Sequence, residues 1–492
     1  MAKAPKAPGK NGASTPDVIF DALDEKTRAV GDGYWRGRTQ LGALVSATKL
    51  FGAAKVAPWR DALREVPPWH AEALAKIAEG TARRGATAES DAAVVACREA
   101  LEDPAVDGED GTRAWCAFAC AMRARGDERG VDAALKEAVA CARRDKVNPT
   151  QPWPHLVLAY RLLERDEALL AHYAKVKDAH LVFEDMESAR AVVSRAIERG
   201  DVAGYRKWRG ALERFNGYET YEALMRSALP AAGAGHGEAL LEMMRDFAGN
   251  ESYGDYAASA VCTALAGGGF LPLARRVVTA TRERFPRALE RLDTLARDLG
   301  SGDDLAAQRA YFRETEAAHP DGQGEPFVQA FRARHAVDRE SALRLADVRE
   351  AALRAELGSA TALTGQALVS LGVALASVGE NPRGVALVDE AVKLCAGLKG
   401  RDKASSLEYV GPMLTGHGLD EQALTVLRKM TSKYHRTTLS KHLSLNYVRA
   451  GDHLGAVMVV GLGDERPLSQ AMRLADALAE AAGVRREFEN FA

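Results

Sequence analysis

The sequence predicts an all-α fold, a right-handed superhelical solenoid of antiparallel helix pairs, with about ten to twelve repeats. Three observations predict it. Breaker clusters recur at intervals of 33–41 residues from about residue 85 onward. Apolar residues between them recur at helical spacing. Composition leans on Ala, Leu and Arg, which are strong helix formers, with aromatics at only 6%. Alternating Val, Ile and Thr runs bounded by hairpin turns, the signature of strands, are not found.

The breaker clusters fall near residues 85, 126, 166, 200, 235, 268, 301, 338, 379, 417 and 451. Four of them share a dipeptide: Gly126-Asp127, Gly200-Asp201, Gly302-Asp303 and Gly451-Asp452. Glycine suits the left-handed residue that ends a helix. Aspartate then offers its carboxylate to the free N–H groups of the next helix. The stripes beside the turns fit the same plan. Ala423, Leu427, Met430 and Tyr434 follow i, i+4, i+7 and i+11, and Leu439, Leu443 and Tyr447 follow i, i+4 and i+8.

In chain order, residues 1–16 carry Lys3, Lys6 and Lys10 among Ala, Pro and Gly. They have nothing to bury and are expected to be a disordered basic tail. Residues 17–80 read as helical but off the repeat. Asp17 is placed to cap a helix through Ile19, Phe20 and Leu23, and a loop follows with Tyr34, Trp35, Arg36 and Arg38. Breaks come at Pro58-Trp59 and Pro67-Pro68-Trp69. This segment is expected to cap the array, because a terminal repeat has one face without a neighbour. Residues 81–483 form the repeat array and 484–492 a C-terminal tail. Within the array, 145–154 and 317–326 are the linker candidates.

At this point a resemblance enters. Trp115, Phe118-Ala119, Met122, Gly126, Val131, Leu135 and Ala138 stand at offsets that resemble the tetratricopeptide repeat. So do Leu371-Gly372, Leu375, Gly379, Gly384 and Ala391, then Leu407, Val410-Gly411, Leu414, Gly418, Ala423 and Leu427, and finally Leu443, Tyr447, Gly451 and Ala456. The similarity spans residues 100–460. The family's terminal Pro is missing, and HEAT-like repeats share the general plan. The resemblance implies a concave surface for a protein or peptide, with no chemistry of its own.

Bulk properties narrow the function classes. Net charge is −2 and the pI is near 6.6, so a basic coat along the whole length is excluded and any nucleic-acid contact must be local. Six cysteines in 492 residues are too sparse for a disulfide framework. The basic start lacks an apolar segment of leader type, and no run of 18 apolar residues occurs, so a cytoplasmic location without a membrane span is expected.

Motifs for chemistry do not assemble. Gly233-Ala-Gly235-His-Gly237 and Gly267-Gly-Gly269 lack the Lys-Ser/Thr of a phosphate loop and sit at turns, where glycine is needed for geometry. Cys97, Cys116, Cys120 and Cys141 lie on neighbouring helices, but without a C-x-x-C pair they read as small apolar packing residues rather than zinc ligands. Ser46-x-x-Lys49 lacks the partner motifs of a serine acyl enzyme. No catalytic residue, metal or cofactor is therefore expected, and the chain is read as a non-enzyme.

Charge placement is the strongest remaining signal. Between Gln422 and Gly451 there is no acidic residue, while Arg428, Lys429, Lys433, Arg436, Lys441 and Arg449 contribute six positive charges. These cations, with Tyr434, are the candidate partner-binding residues, and an acidic protein or peptide is the expected partner. A nucleic acid stacking on Tyr434 and Tyr447 is the alternative. Cations also gather at helix C-termini for the dipole alone, which accounts for part of the run. The acidic stretch from Glu99 to Thr112 is the counterpart, and head-to-tail self-association is a third expectation. The six tryptophans all precede residue 209 and are expected mainly to fill the interior.

Overall fold

The computed structural model describes residues 15–145, 152–163, 165, 186–213, 217–247, 253–267, 270–281, 327–328, 331–332, 334–335, 338–355, 362–463 and 466–484. The chain divides into two compact units, Met1–Asp185 with Ser432–Ala492, and Met186–Thr431. The first unit holds α1 (Asp17–Ala29), α2 (Gly33–Phe51), α3 (Ala53–Ala62), α4 (Pro67–Arg84), α5 (Thr87–Leu101), α6 (Gly108–Ala124), α7 (Glu128–Arg144) and α8 (Pro152–Leu162). The second holds α9 (Met186–Glu198), α10 (Val202–Glu213), α11 (Gly217–Gly233), α12 (Gly237–Phe247), α13 (Gly254–Gly267), α14 (Leu271–Thr281), α15 (Arg339–Ala355), α16 (Ala362–Ser377), α17 (Asn381–Gly397), α18 (Gly400–Gly416) and α19 (Asp420–Lys429). The first unit is completed by α20 (Lys433–Arg449), α21 (His453–Gly463) and α22 (Pro467–Ala482). No strand occurs among the described residues. Among the described residues the fold is all-α, and each unit is built of stacked antiparallel helix pairs.

The turn chemistry is shared by almost every pair. Seven turns between paired helices carry the same bond from an N–H to the carbonyl five residues back. These are Ala86 to Thr81, Asp127 to Met122, Asp201 to Ala196, His236 to Ala231, Glu380 to Leu375, Leu419 to Leu414 and Asp452 to Tyr447, all within 2.8–3.0 Å. In each the residue before the donor is a glycine with φ between 68° and 92°. This is the glycine-ended helix stop, and it explains why the breaker clusters mark the turns. Asp127, Asp201 and Asp452 then accept from the N–H of Gly130, Gly204 and Gly455 at 2.8–2.9 Å. The Gly-Asp pair is thus part of a longer Gly-Asp-x-x-Gly unit. The expected turns near 166 and 301, including Gly302-Asp303, lie outside the described residues; residues 268–269 do too, although the Phe270 N–H beyond them makes the same bond to the Leu265 carbonyl at 2.8 Å.

Packing follows two rows in each unit. In the first unit α2, α4, α6 and α8 pack side by side, with α5 and α7 paired to α4 and α6. In the second unit α9, α11 and α13 stack in the same way, with α10, α12 and α14 as partners, and α16–α17 and α18–α19 repeat the pattern. Close approach is bought by small residues: a Cβ on Gly384 would lie 2.6 Å from the Gly372 carbonyl. Trp59, Trp69, Trp153 and Trp208 are buried, and Trp35 is exposed.

The boundary expected between residues 80 and 81 falls inside α4, and α22 packs against both α1 and α2. Ile19, Phe20 and Leu23 of α1 are buried, with Phe20 stacked on Trp59 of α3 at 4.8 Å and edge-on to Phe51 of α2 at 5.5 Å. Tyr434 also leaves the stripe assigned to it. Met430 turns extended at φ −63°, ψ 139°, and a new helix starts at Lys433, so Tyr434 stands on another helix and is 75% exposed. The basic tail 1–14, the linker 317–326 and residues 485–492 lie outside the described residues. So do residues 146–151 of the other linker, whose end forms the first turn of α8.

Candidate functional site

The basic run is divided by the fold. Arg428 and Lys429 close α19 in the second unit and are exposed there. Lys433, Tyr434, Arg436, Lys441 and Arg449 lie on α20 in the first unit. Three of these five have internal partners. Arg436 donates to the Leu462 carbonyl. Lys441 stands 3.9 Å from the buried Asp476, and Arg449 pairs with Glu480 at 2.6 Å. Both carboxylates come from α22, so the acids that answer this run lie more than twenty residues beyond it. Lys433 and Tyr434 remain outward on the first turn of α20, the aromatic ring edge-on to His435 at 5.1 Å.

The acidic counterpart is also used internally. Asp107 pairs with Arg144 at 3.0 Å, and Glu109 meets His155 at 3.0 Å. Asp103 caps its own turn through the Ala105 N–H at 2.8 Å.

A polar cluster that spacing alone did not reveal lies across α2, α4, α6 and α8. Its centre is Glu72, 3% exposed on the buried face of α4. Arg38 from α2 donates to its Oε2 at 3.1 Å. Lys76, one turn along α4, stands 3.4 Å from Oε1, and Arg113 from α6 stands 3.9 Å from Oε2. Arg113 also lies 3.7 Å from Glu109, which reaches His155 on α8. Four successive helices of one row are therefore linked through charged side chains. Burial works against the Glu72 carboxylate, but Arg38 and Lys76 beside it hold it below the usual carboxylate range. Asp110 goes the other way: burial pushes its carboxyl up, against the pull of Arg38 and with Glu72 and Glu109 adding to the rise.

Beside this cluster is a cavity of about 70 Å³. Glu72, Lys76, Arg113 and His155 supply its polar wall, and Ala117, Leu158, Ala159 and Leu162 its apolar wall. Cys116 and Cys120 also line it. Burial pushes the Cys116 thiol up and the Cys141 thiol up to about 11, so both are thiols at neutral pH. Cys97 donates to the Ala71 carbonyl at 3.4 Å. Among the described residues no group of three or more His, Cys, Asp or Glu side chains could hold a metal ion.

The signal that would have found this cluster is weak but present in the sequence. Glu72 and Lys76 stand at i, i+4 on the face of α4 that also carries Ala73 and Ile77, a face that should have been apolar. Their partners are 34–83 residues away, and no local pattern joins them.

No protein-family model and no curated protein matches the chain. Solved structures are similar to it at low identity. The pentatricopeptide repeat protein PPR10 from maize is 17% identical, with 97% of this chain and 72% of that chain covered and a TM-score of 0.32. Ton1535 from Thermococcus onnurineus NA1 is 12% identical, covering 86% and 96%, with a TM-score of 0.25. The structure of Naa15/Naa10 bound to HypK-THB is 15% identical, covering 91% and 68%, with a TM-score of 0.24. No helix among the described residues is long and apolar enough to cross a membrane.

Proposed function

We propose that the chain is a non-catalytic helical-repeat scaffold that binds a protein or peptide in the cytoplasm, through the row of helices α2, α4, α6 and α8. The observation that carries this reading is the cavity beside Glu72. Charged side chains on this row contribute nothing to apolar packing, and burying them is costly unless they are held in a network. Here the network ends at a cavity with one polar and one apolar wall, the general form of a recognition pocket. An extended segment carrying an acidic side chain next to an aliphatic one matches it: the carboxylate faces Lys76, Arg113 and His155, and the aliphatic group faces Leu158 and Leu162. The acidic partner expected from the basic run is retained, with a different set of residues meeting it.

The test is a peptide array probed with the full chain and with Leu158→Trp, which fills the cavity and leaves every charge in place. Acidic-aliphatic peptides bound by the parent chain should be lost by the variant. An identical set of bound peptides for both would overturn the reading. A nucleic-acid reading rests on a separate observation, the outward Tyr434 beside Lys433 on α20. It requires retention of single-stranded RNA at low salt that falls when Tyr434→Ala is introduced. No retention at low salt would remove it.

A further inference from the structure

The row of helices that carries the cavity continues past α2. Helix α22 packs on α2 and on α20, so the row of the first unit runs α20, α22, α2, α4, α6, α8. A second buried acid stands on it. Asp476 of α22 is 3% exposed, and its Oδ2 lies 3.9 Å from Lys441 Nζ of α20 and 3.6 Å from Nη1 of Arg473, three residues back on α22. The arrangement repeats that of Glu72, which has Arg38 from the helix before it in the row and Lys76 one turn along its own helix.

Two cations face one carboxylate here, and neither is spent on it. Both separations exceed hydrogen-bond length. Among the described residues neither side chain donates a hydrogen bond, and Arg473 Nε is buried without a partner. The spacing is not imposed by the distance between the helices, because Arg449 and Glu480 on the same two helices close to 2.6 Å. Lysine brings three donors and arginine five, and a buried positive charge in excess is costly unless an anion answers it. The Lys441 and Arg473 side chains are 20% and 18% exposed, so their outer ends can be reached from solvent.

We propose that Lys441 and Arg473 form a second anion subsite, which takes a further acidic side chain of the peptide whose first acidic side chain enters the cavity beside Glu72. The peptide part of this inference rests on the reading of that cavity, and the anion subsite does not. Its ligand group is a carboxylate, which can accept from both cations at once. The two subsites are separated by about three helix steps along the row. At roughly 8–10 Å per step the separation is about 24–30 Å, which an extended chain covers in about seven to nine residues. Lys441 then serves recognition as well as packing, whereas Arg449 is already closed on Glu480.

Fluorescence anisotropy on the full chain tests the spacing. The probes are labelled acidic-aliphatic peptides taken from the array, each with one further glutamate at successively longer separations from the first acid. The added glutamate should tighten binding about tenfold at the separation derived above and not at shorter ones. Arg473→Gln should remove that gain and leave peptides with a single acid unchanged. A gain that ignores spacing, or one that Arg473→Gln keeps, would overturn the proposal. Leu158→Trp separates the two readings. Single-acid peptides bound equally by that variant would remove the cavity reading, whereas loss of the spacing-dependent gain alone would remove this one. A second measurement needs no peptide. With arginine nitrogen-15-labelled in the full chain, the Nε–H signal of Arg473, assigned by its loss in Arg473→Gln, is followed as sodium acetate or sodium chloride is added at equal ionic strength. A saturating shift with acetate and not with chloride is expected. The same drift with both salts, or no shift with either, would overturn the subsite.

Discussion

Lys49 Nζ donates to the carbonyl oxygen of Ala482 at 2.6 Å, across 433 positions of sequence. The bond joins α2 to α22. It supplies a cation and a donor where a helix leaves its final carbonyls without partners. Around it, α22 fills the place of a neighbouring repeat beside α1 and α2.

If that contact sets the stability of both ends, Leu478→Ala should cost about 2–5 kcal/mol in the unfolding of the first unit, as deletion of a fully buried leucine does. Hydrogen exchange should quicken in α1 as well as in α22. Faster exchange in α22 alone would mean that α1 is held by its neighbours in sequence.

The Gly-Asp-x-x-Gly unit makes a coupled prediction. A Cβ at Gly455 would lie 2.5 Å from Asp452 Oδ2 and 2.9 Å from Tyr447 Cδ1. Gly455→Ala should therefore destabilise by about 1–3 kcal/mol despite the better helix propensity of alanine. Its cost should shrink in an Asp452→Ala background, where part of the clash is gone. Urea denaturation of the two single variants and the double variant measures the coupling, and simple additivity would contradict the crowding at this turn.

The basic run predicts a split between stability and recognition. Lys441→Glu would place a carboxylate against the buried Asp476 and should cost about 2 kcal/mol or more. Arg449→Ala removes a pair whose arginine is mostly exposed, and should cost about 0.2–1 kcal/mol, less at high salt. Lys433→Glu should leave thermal stability within the scatter of surface changes. Melting curves of the three variants at two ionic strengths decide the ranking.

Glu72 predicts an acid-dependent stability. Its carboxyl is depressed in the folded chain, so its contribution is fully present above the ordinary value of 4.5 and is lost as pH falls through the lower folded-state value. Glu72→Gln, which leaves Arg38 and Lys76 facing no carboxylate, should cost about 3–5 kcal/mol at neutral pH. The gap between parent and variant should narrow in strongly acidic solution. Asp110 has the opposite sign, since its raised carboxyl opposes folding at neutral pH and ceases to do so as pH falls. Asp110→Asn should be neutral or stabilising at pH 7. Urea unfolding from neutral to acidic pH reads both.

Much of the repeat was legible because its signals are local. Gly126, Gly200, Gly379 and Gly451 each stop a helix through a bond that spans five residues, and a reader of the sequence sees all the atoms involved. Tyr434 shows the limit of the same method. Its spacing from Ala423 is helical, yet the backbone turns extended at Met430 and the register restarts. The Glu72 cluster was not legible because Arg38, Lys76, Arg113 and His155 meet only when four helices lie side by side.

The sequence by itself determined the helix pairs and their turns among the described residues, since propensity, capping and apolar period act over a few residues. The tertiary structure decided which charges meet. It gave the cations of α20 their acids on α22, gathered Glu72 and its partners beside a cavity, and set α22 against α1. Such contacts depend on the stacking of whole helices, and their partners are free to lie anywhere along the chain.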